Sequence, residues 1–303
     1  CHPGDFLSRP VSLSIDAPDD FPSVFNGSLA HERATSLGSV AVFTEAGAHQ
    51  EAELIRRIGN ADAAINLRAH AKFTGRVLHA CPALKLISVW GTGVDNIDLA
   101  AAVERGITVC NTPGINAHAV AEHALALMLA VARKLPTLDR EMRTGRWPRA
   151  VLTQLTGKTL GVFGLGAIGS RVALLGRGIG MEVIAWSARG DAERAHAAGA
   201  RPVAKEELLR LADVVSLHLR LTAETTGFLS HRELSLMKPT AILINTARAA
   251  LVDRDSLLDT LSQGRILGAG LDVFHREPPD PDDPILAIPN VVLTPHNPGQ
   301  TPE

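Results

Sequence analysis

Four side chains with chemistry to offer stand at or just past apolar, β-branched runs of this 303-residue sequence. Arg248 follows "AILINTA", Asp272 and Glu277 follow the run "ILGAGL", and His296 comes directly after "NVVLTP". Arginine grips a carboxylate through two parallel hydrogen bonds. Histidine exchanges a proton near neutral pH, and a carboxylate can hold its ring. Taken singly, each has a bland explanation, and Arg248 alone reads as a surface residue. Together they make a proton donor, its orienter and a carboxylate clamp.

A phosphate cradle accompanies them. In "VFGLGAIGSRVA" the residues Gly164, Gly166 and Gly169 form G-x-G-x-x-G between a strand and a helix. The first glycine permits the tight turn, the second lets a pyrophosphate approach the backbone, and the third lets helix and strand pack closely. An NAD site of this kind carries an acid about 20 residues further on. Here the strand "MEVIAWS" ends instead on Ser187, with Arg189 two residues later. A hydroxyl beside an arginine suits a 2′-phosphate, which favours NADP over NAD; the alternatives are Asp191 or water in that role, with Arg189 a solvated charge.

These groups need a scaffold that brings strand ends to one edge. Apolar runs alternate with helical stretches such as "HQEAELIRRIG", where Leu54, Ile55 and Ile58 share a face. That alternation predicts parallel sheets covered by helices. "VSLSID", "SVAVFT", "DAAINLR", "LKLISVW" and "GITVC" form a first series. A second begins at Lys158 with "TLGVFGL", "MEVIAWS", "DVVSLHL", "AILINTA", "ILGAGLDVF" and "NVVLTP". Ligands bind such sheets at the carboxyl ends of the strands, where all the residues above fall. In the first series "VWGTGVDNID" puts Gly91 and Gly93 after a strand, either as an anion-binding run of amides or as a plain chain reversal. The helix within "NAHAVAEHALALMLAVARKLP" is apolar almost all round, so it must be covered by another domain or subunit, and Pro136 is expected to end it. His123, inside that helix, reads as a hydrogen-bonded core or interface residue. Trp147 in "GRWPR" reads equally as a wall of the substrate pocket or as a loop anchor.

Composition narrows the class. Hydrophobic residues at 46% and charged ones at 20% are ordinary globular values, and the length favours two domains. A net charge of −2 gives no reason to expect nucleic acid or an anionic membrane. The longest apolar run, residues 124–132, is too short to cross a bilayer. Three scattered cysteines match no metal spacing or disulfide framework, and the first fifteen residues show no apolar leader core. A cytoplasmic setting without a metal is expected. The chain starts at Cys1 rather than Met, as a fragment would.

The stretches "GTGVDNID", "VCNTPGINAHAVAEHALALML", "GKTLGVFGLGAIGSRVA", "INTARAALVD", "LDVFHREP" and "LTPH" resemble, in order and over nearly the whole chain, the D-isomer-specific 2-hydroxyacid dehydrogenases. The resemblance implies α/β architecture with two doubly wound parallel-sheet domains, the second a Rossmann dinucleotide-binding domain inserted into the first. Residues 1–112 plus 295–303 would bind substrate and residues 113–294 would bind NAD or NADP. It implies that Arg248, Glu277 and His296 are catalytic and that Asp272 holds the nicotinamide carboxamide. Gly164, Gly166, Ala167, Ile168, Gly169, Ser187, Arg189, His218, Thr222, Thr246, Ala247 and Asp272 form the implied cofactor set, although His218 taken alone reads as structural. Arg68, Gly91, Gly93, Val94 and Arg248 form the implied substrate set. The substrate would be a small 2-oxo or 2-hydroxy acid and the assembly a homodimer. His296, held in its charged form by Glu277, would protonate the carbonyl oxygen that receives a hydride. Two neighbouring activities stay open, a dinucleotide-sensing co-repressor and a formate dehydrogenase, although Glu277 speaks against the second. The sequence departs from the family pattern at Ser187, at Arg220 (near the expected adenosine, again favouring a phosphorylated cofactor), at Ala249 and in "NPGQ". The family's last helix has no counterpart before Glu303.

Overall fold

The computed structural model describes residues 13–68, 70–188, 190, 192–299 and 301. The chain divides into two units, one reaching to residue 115 and the other spanning 116–301. Residues 295–301, expected to belong with the first unit, fall in the second.

In the first unit five strands, β1 (Leu13–Ala17), β2 (Gly38–Val42), β3 (Ala63–Asn66), β4 (Leu86–Val89) and β5 (Thr108–Asn111), form one parallel sheet in the order β2-β1-β3-β4-β5. Helices α1 (Leu29–Thr35), α2 (Glu51–Ile58), α3 (Gly75–Ala80) and α4 (Leu99–Glu104) supply the crossovers that parallel pairing requires. Leu54 and Ile58 of α2 are fully buried with Phe73, Leu78 and Ile87, so the apolar face read from the sequence is the packed one. Polar groups fix the loops at the strand ends. Asp20 accepts from the amides of Val24, Phe25 and Asn26 and from the Ser23 hydroxyl. Burial pushes its carboxyl up, and those four donors together more than offset this, leaving it below the usual range. The buried Arg57 guanidinium donates to the carbonyls of Pro18, Glu45 and Ala46.

The second unit opens with α5 (Ala117–Ala132) and α6 (Leu135–Arg143). Then follow β6 (Thr159–Phe163), α7 (Ala167–Gly178), β7 (Glu182–Trp186), α8 (Ala192–Ala197), β8 (Arg201–Pro202), α9 (Lys205–Leu211) and β9 (Val214–Leu217). The unit closes with α10 (His231–Leu234), β10 (Ile242–Asn245), α11 (Arg254–Ser262), β11 (Gly268–Leu271) and β12 (Val291–Leu293). Its seven parallel strands run β12-β11-β10-β9-β6-β7-β8. The chain leaves β6 to one side for β7 and returns to its other side for β9. Strand order therefore reverses beside β6, the position where open α/β sheets bind ligands. Every residue of β9, β10 and β11 is buried, as expected for parallel strands covered on both faces.

Two expectations about the apolar helix are corrected. It is covered by its own unit: Ala121, Ala124, Leu127, Met128 and Val131 are buried in one cluster with Val162, Val172 and Ile244. Its end is set by Lys134, whose backbone turns left-handed at φ 51°, and not by Pro136. Pro136 is the second residue of α6, where the missing N–H costs no helical bond. No helix among the described residues is long and apolar enough to cross a membrane.

Candidate active site

The turns leaving β6, β7, β9, β10, β11 and β12 all open at the carboxyl edge of the second sheet. Gly164 turns at φ 92°, and a Cβ there would lie 2.5 Å from the carbonyl oxygen of His218. A Cβ on Gly169 would lie 1.9 Å from the Gly164 carbonyl oxygen, so the third glycine is what lets α7 reach the strand. Gly166, at the N-cap of α7, meets nothing within 4 Å. The space over Gly166, facing the first amides of a twelve-residue helix, fits a pyrophosphate. Ala167, Ile168 and Gly169 form the first turn of that helix.

Ser187 directly follows β7; Arg189 and Asp191, the other candidates for the ribose end, lie outside the described residues. Arg220 is exposed, and its carbonyl accepts from Thr225. Thr222 lies in the same turn, its amide held by the Thr225 hydroxyl. His218 follows β9 and bonds Ser216 Oγ through Nε2 at 2.8 Å. It keeps some exposed area, yet its surroundings are dense enough that burial pushes the imidazole down to about 3, so it is neutral near pH 7 and suited to packing, not proton transfer.

After β10, Thr246 is buried with its hydroxyl unpaired among the described residues, and the Ala247 amide is held by Asn245 Oδ1 at 3.1 Å. Asn245 also donates to the Arg248 carbonyl at 2.9 Å, which fixes the backbone that carries the guanidinium. Arg248 Nη1 donates to the Ala247 carbonyl at 2.8 Å.

Next to it, β11 and β12 bring three of the expected residues together. His296 Nδ1 lies 2.7 Å from Glu277 Oε2, and Glu277 Oε1 accepts the Phe274 amide at 3.0 Å. An ionised carboxylate only accepts, so Nδ1 carries the hydrogen and Nε2 is left for proton exchange. His296 holds φ 51°, a conformation a non-glycine residue keeps only under constraint from its surroundings. Asp272 is fully buried and Thr294 donates to its Oδ1 at 2.6 Å, while Oδ2 has no partner among the described residues. A buried carboxylate oxygen left open calls for a donor, and a carboxamide NH2 is a fitting one. The residues present therefore fit a nicotinamide dinucleotide at both ends of the strand edge.

Thr294 and His123 were not among the site residues read from the sequence. His123 Nε2 reaches Thr294 Oγ1 at 2.9 Å. Thr294 sits in the "LTPH" stretch, so its place beside His296 was visible, whereas the link to α5 was not.

In the first unit, Arg68 follows β3, with Nε and Nη2 on the carbonyls of Phe21 and Pro22 at 3.2 and 2.6 Å. The Gly91 amide is taken internally by Val89 O and Thr112 Oγ1, so Gly91 supplies a φ of 145° and no free donor, a correction to its reading as an anion-binding amide. The amides of Gly93 and Val94 have no acceptor among the described residues. Trp147 is 75% exposed, which does not fit a loop anchor among the described residues.

Comparison with known proteins bears on this geometry. The profile described as "D-isomer specific 2-hydroxyacid dehydrogenase, NAD binding domain" matches residues 125–298. A D-3-phosphoglycerate dehydrogenase of Archaeoglobus fulgidus is 42% identical over 83% of this chain and 48% of its own length. A glyoxylate reductase of Korarchaeum cryptofilum is 41% identical over 80% of this chain and 75% of its own. The chain thus spans about half the length of the first relative and three-quarters of the second. The crystal structure of a phosphoglycerate oxidoreductase from Vibrio cholerae superposes with a TM-score of 0.83 at 33% identity, covering 95% of this chain and 91% of that one.

Proposed function

The chain belongs to the D-isomer-specific 2-hydroxyacid dehydrogenase family, and from that premise we propose that it reduces a small 2-oxo acid to the D-2-hydroxy acid, with NADPH preferred over NADH. The observation that carries the reading is the His296–Glu277 contact at 2.7 Å, made at the sheet edge that also carries the glycine loop.

Arg248 pairs with the substrate carboxylate through its guanidinium fork. A bound reduced nicotinamide supplies the hydride that the carbonyl carbon receives. Asp272 Oδ2 would accept from the carboxamide NH2 of a bound nicotinamide. As negative charge builds on the carbonyl oxygen, His296 Nε2 delivers its proton there, and Glu277 keeps the ring in place through Nδ1. In the oxidative direction neutral His296 takes the same proton back. Gly164, Gly166 and Gly169 with the amides at Ala167 and Ile168 hold the pyrophosphate, with Ser187, His218, Thr222, Thr246 and Ala247 lining the remainder. The first unit binds substrate, with the amides of Gly93 and Val94 as its anion-binding groups and Arg68 bracing the loop at Phe21 and Pro22.

NADPH is preferred because Ser187 stands where a carboxylate would repel the 2′-phosphate, and exposed Arg220 adds a positive charge past β9 on the same sheet edge. Parallel assays with NADPH and NADH against glyoxylate, pyruvate, hydroxypyruvate and its 3-phosphate test this. At least one unphosphorylated acid should turn over, with kcat/KM higher for NADPH. Preference for NADH overturns the cofactor assignment, and binding of either dinucleotide without any turnover overturns the reading as an enzyme.

The assembly is a homodimer in this reading. None of the residues of α6 is buried in the single chain, and Leu135, Met142, Trp147 and Val151 along this arm are 53, 45, 75 and 90% exposed. Apolar area of that kind marks a protein interface. Sedimentation should give twice the chain mass, and the double substitution Trp147→Glu with Val151→Glu should give monomers. A monomeric unmodified chain at micromolar concentration contradicts the dimer. The free thiols of Cys81 and Cys110 are consistent with a reducing, cytoplasmic setting.

A further inference from the structure

We propose that His123 is a positioning residue of this site: through the Thr294 hydroxyl it fixes both the buried Asp272 carboxylate and the turn that presents His296. The inference rests on the dehydrogenase reading above and adds a residue from α5, outside the strand-edge turns.

Donor counting sets the direction of the network. Thr294 has one hydroxyl hydrogen, and Asp272 Oδ1 at 2.6 Å takes it, since a carboxylate only accepts. Thr294 Oγ1 can then only accept from His123 Nε2 at 2.9 Å, so that nitrogen carries a hydrogen. The same Nε2–H lies 3.4 Å from Asp272 Oδ1. Apart from these two groups, the Asp272 side chain receives, among the described residues, only the Asn297 amide, at a long 3.4 Å. A carboxylate with no exposed surface needs hydrogen-bond partners, and these hold it in one orientation. With Oδ1 tied down, Oδ2 is the oxygen left to meet a ligand.

The turn that carries His296 is tied to the same threonine. The Thr294 amide donates to Leu271 O on β11, and the His296 amide donates to Thr294 O at 3.1 Å. Thr294 is therefore bonded on its backbone to both neighbours of the site and through its side chain to a helix. That helix, α5, is locked by Ala124, Leu127, Met128 and Val131 in the core. His123 thus transfers the rigidity of a packed helix to a turn whose histidine holds a positive φ. A histidine that merely satisfied itself in the core would have no consequence for cofactor or proton transfer, and this is the difference an experiment can read.

The test compares the unmodified protein with His123→Leu, His123→Gln, Thr294→Val and the double variant His123→Leu/Thr294→Val. Three readouts are taken: NAD(P)H affinity by fluorescence, kcat and KM for the 2-oxo acid, and the histidine ring signals of the cofactor-free protein by NMR. His123→Leu should weaken dinucleotide binding and lower kcat, each roughly tenfold, the scale of one hydrogen bond to a charged buried group. KM for the oxo acid should stay put, and the His296 ring signal should move. His123→Gln, which can place an amide N–H near the Nε2 position, should restore most of the loss. The double variant should be no worse than Thr294→Val, because both remove one chain of bonds, whereas independent losses would multiply to roughly a hundredfold.

Unchanged affinity, kcat and His296 signal in His123→Leu overturn the proposal, as does a loss that Gln fails to rescue and that multiplies with Thr294→Val. Should the leucine variant not fold, the glutamine and valine variants carry the same comparison. If the unmodified protein neither binds dinucleotide nor reduces an oxo acid, the functional reading fails, and the NMR signal in the cofactor-free protein still decides whether His123 governs His296.

Discussion

Replacing His296 with Asn is expected to lower kcat by roughly 10²-fold or more, the scale of a positioned acid–base group, with the affinity for NADPH unchanged. Asparagine is the informative choice for two reasons. The position holds φ 51°, and asparagine tolerates the left-handed region better than most residues. Its side-chain amide can also donate to Glu277 where Nδ1 does now, across 2.7 Å in the present structure. The substitution therefore leaves the turn and the contact with Glu277 in place and removes only the group that exchanges a proton. A loss of kcat with dinucleotide affinity intact assigns His296 to the chemical step. Turnover within a few-fold of the unmodified protein would remove His296 from the mechanism.

The second large effect concerns the glycine loop, where two glycines of one motif should both lose affinity when substituted but differ in stability. Gly169→Ala puts a methyl group 1.9 Å from the Gly164 carbonyl oxygen and 3.3 Å from His218 Cβ. The first contact is with backbone and cannot be relieved by a rotamer change. α7 must move off β6, so overpacking of about 1–3 kcal/mol is a lower bound, a fall of roughly 2–12 °C in Tm for a unit of this size. Dinucleotide binding is lost with it, since the helix N-terminus no longer faces the turn. Gly166→Ala meets nothing within 4 Å. Its Tm should stay close to that of the parent while NADPH affinity drops, because the methyl occupies space the phosphates need. Thermal melts and fluorescence titration of the two variants check this. Equal destabilisation by both would mean that the loop is an ordinary structural turn.

The sheets were legible because parallel strands are buried on both faces and so appear as short unbroken apolar runs. "ILIN", "GAGL" and "VVSL" are all fully buried. β8, two exposed residues at Arg201–Pro202, carries no such signal. Pro136 was misread because a proline marks a helix start as readily as an end, and only the backbone of Lys134 decides between them. The all-round apolar α5 correctly announced burial, but its composition could not say whether its own sheet or another body covers it.

The meeting of Glu277 and His296 could be anticipated because both lie just past adjacent strand ends. Gly91 misled for a local reason: exposed amides were expected from the glycines, and the Thr112 hydroxyl, 21 residues on, takes the first of them. The His123–Thr294–Asp272 chain was beyond reach of the sequence, since its hydrogen bond spans 171 residues and exists only when α5 packs against the sheet.

The stereochemistry and stoichiometry of the product decide whether this chemistry takes place. Purified protein given NADPH and hydroxypyruvate should form D-glycerate, one equivalent for each NADPH consumed, and His296→Asn should form it at least a hundredfold more slowly. Formation of the L-isomer, or NADPH bound but never consumed with any 2-oxo acid, would contradict the account.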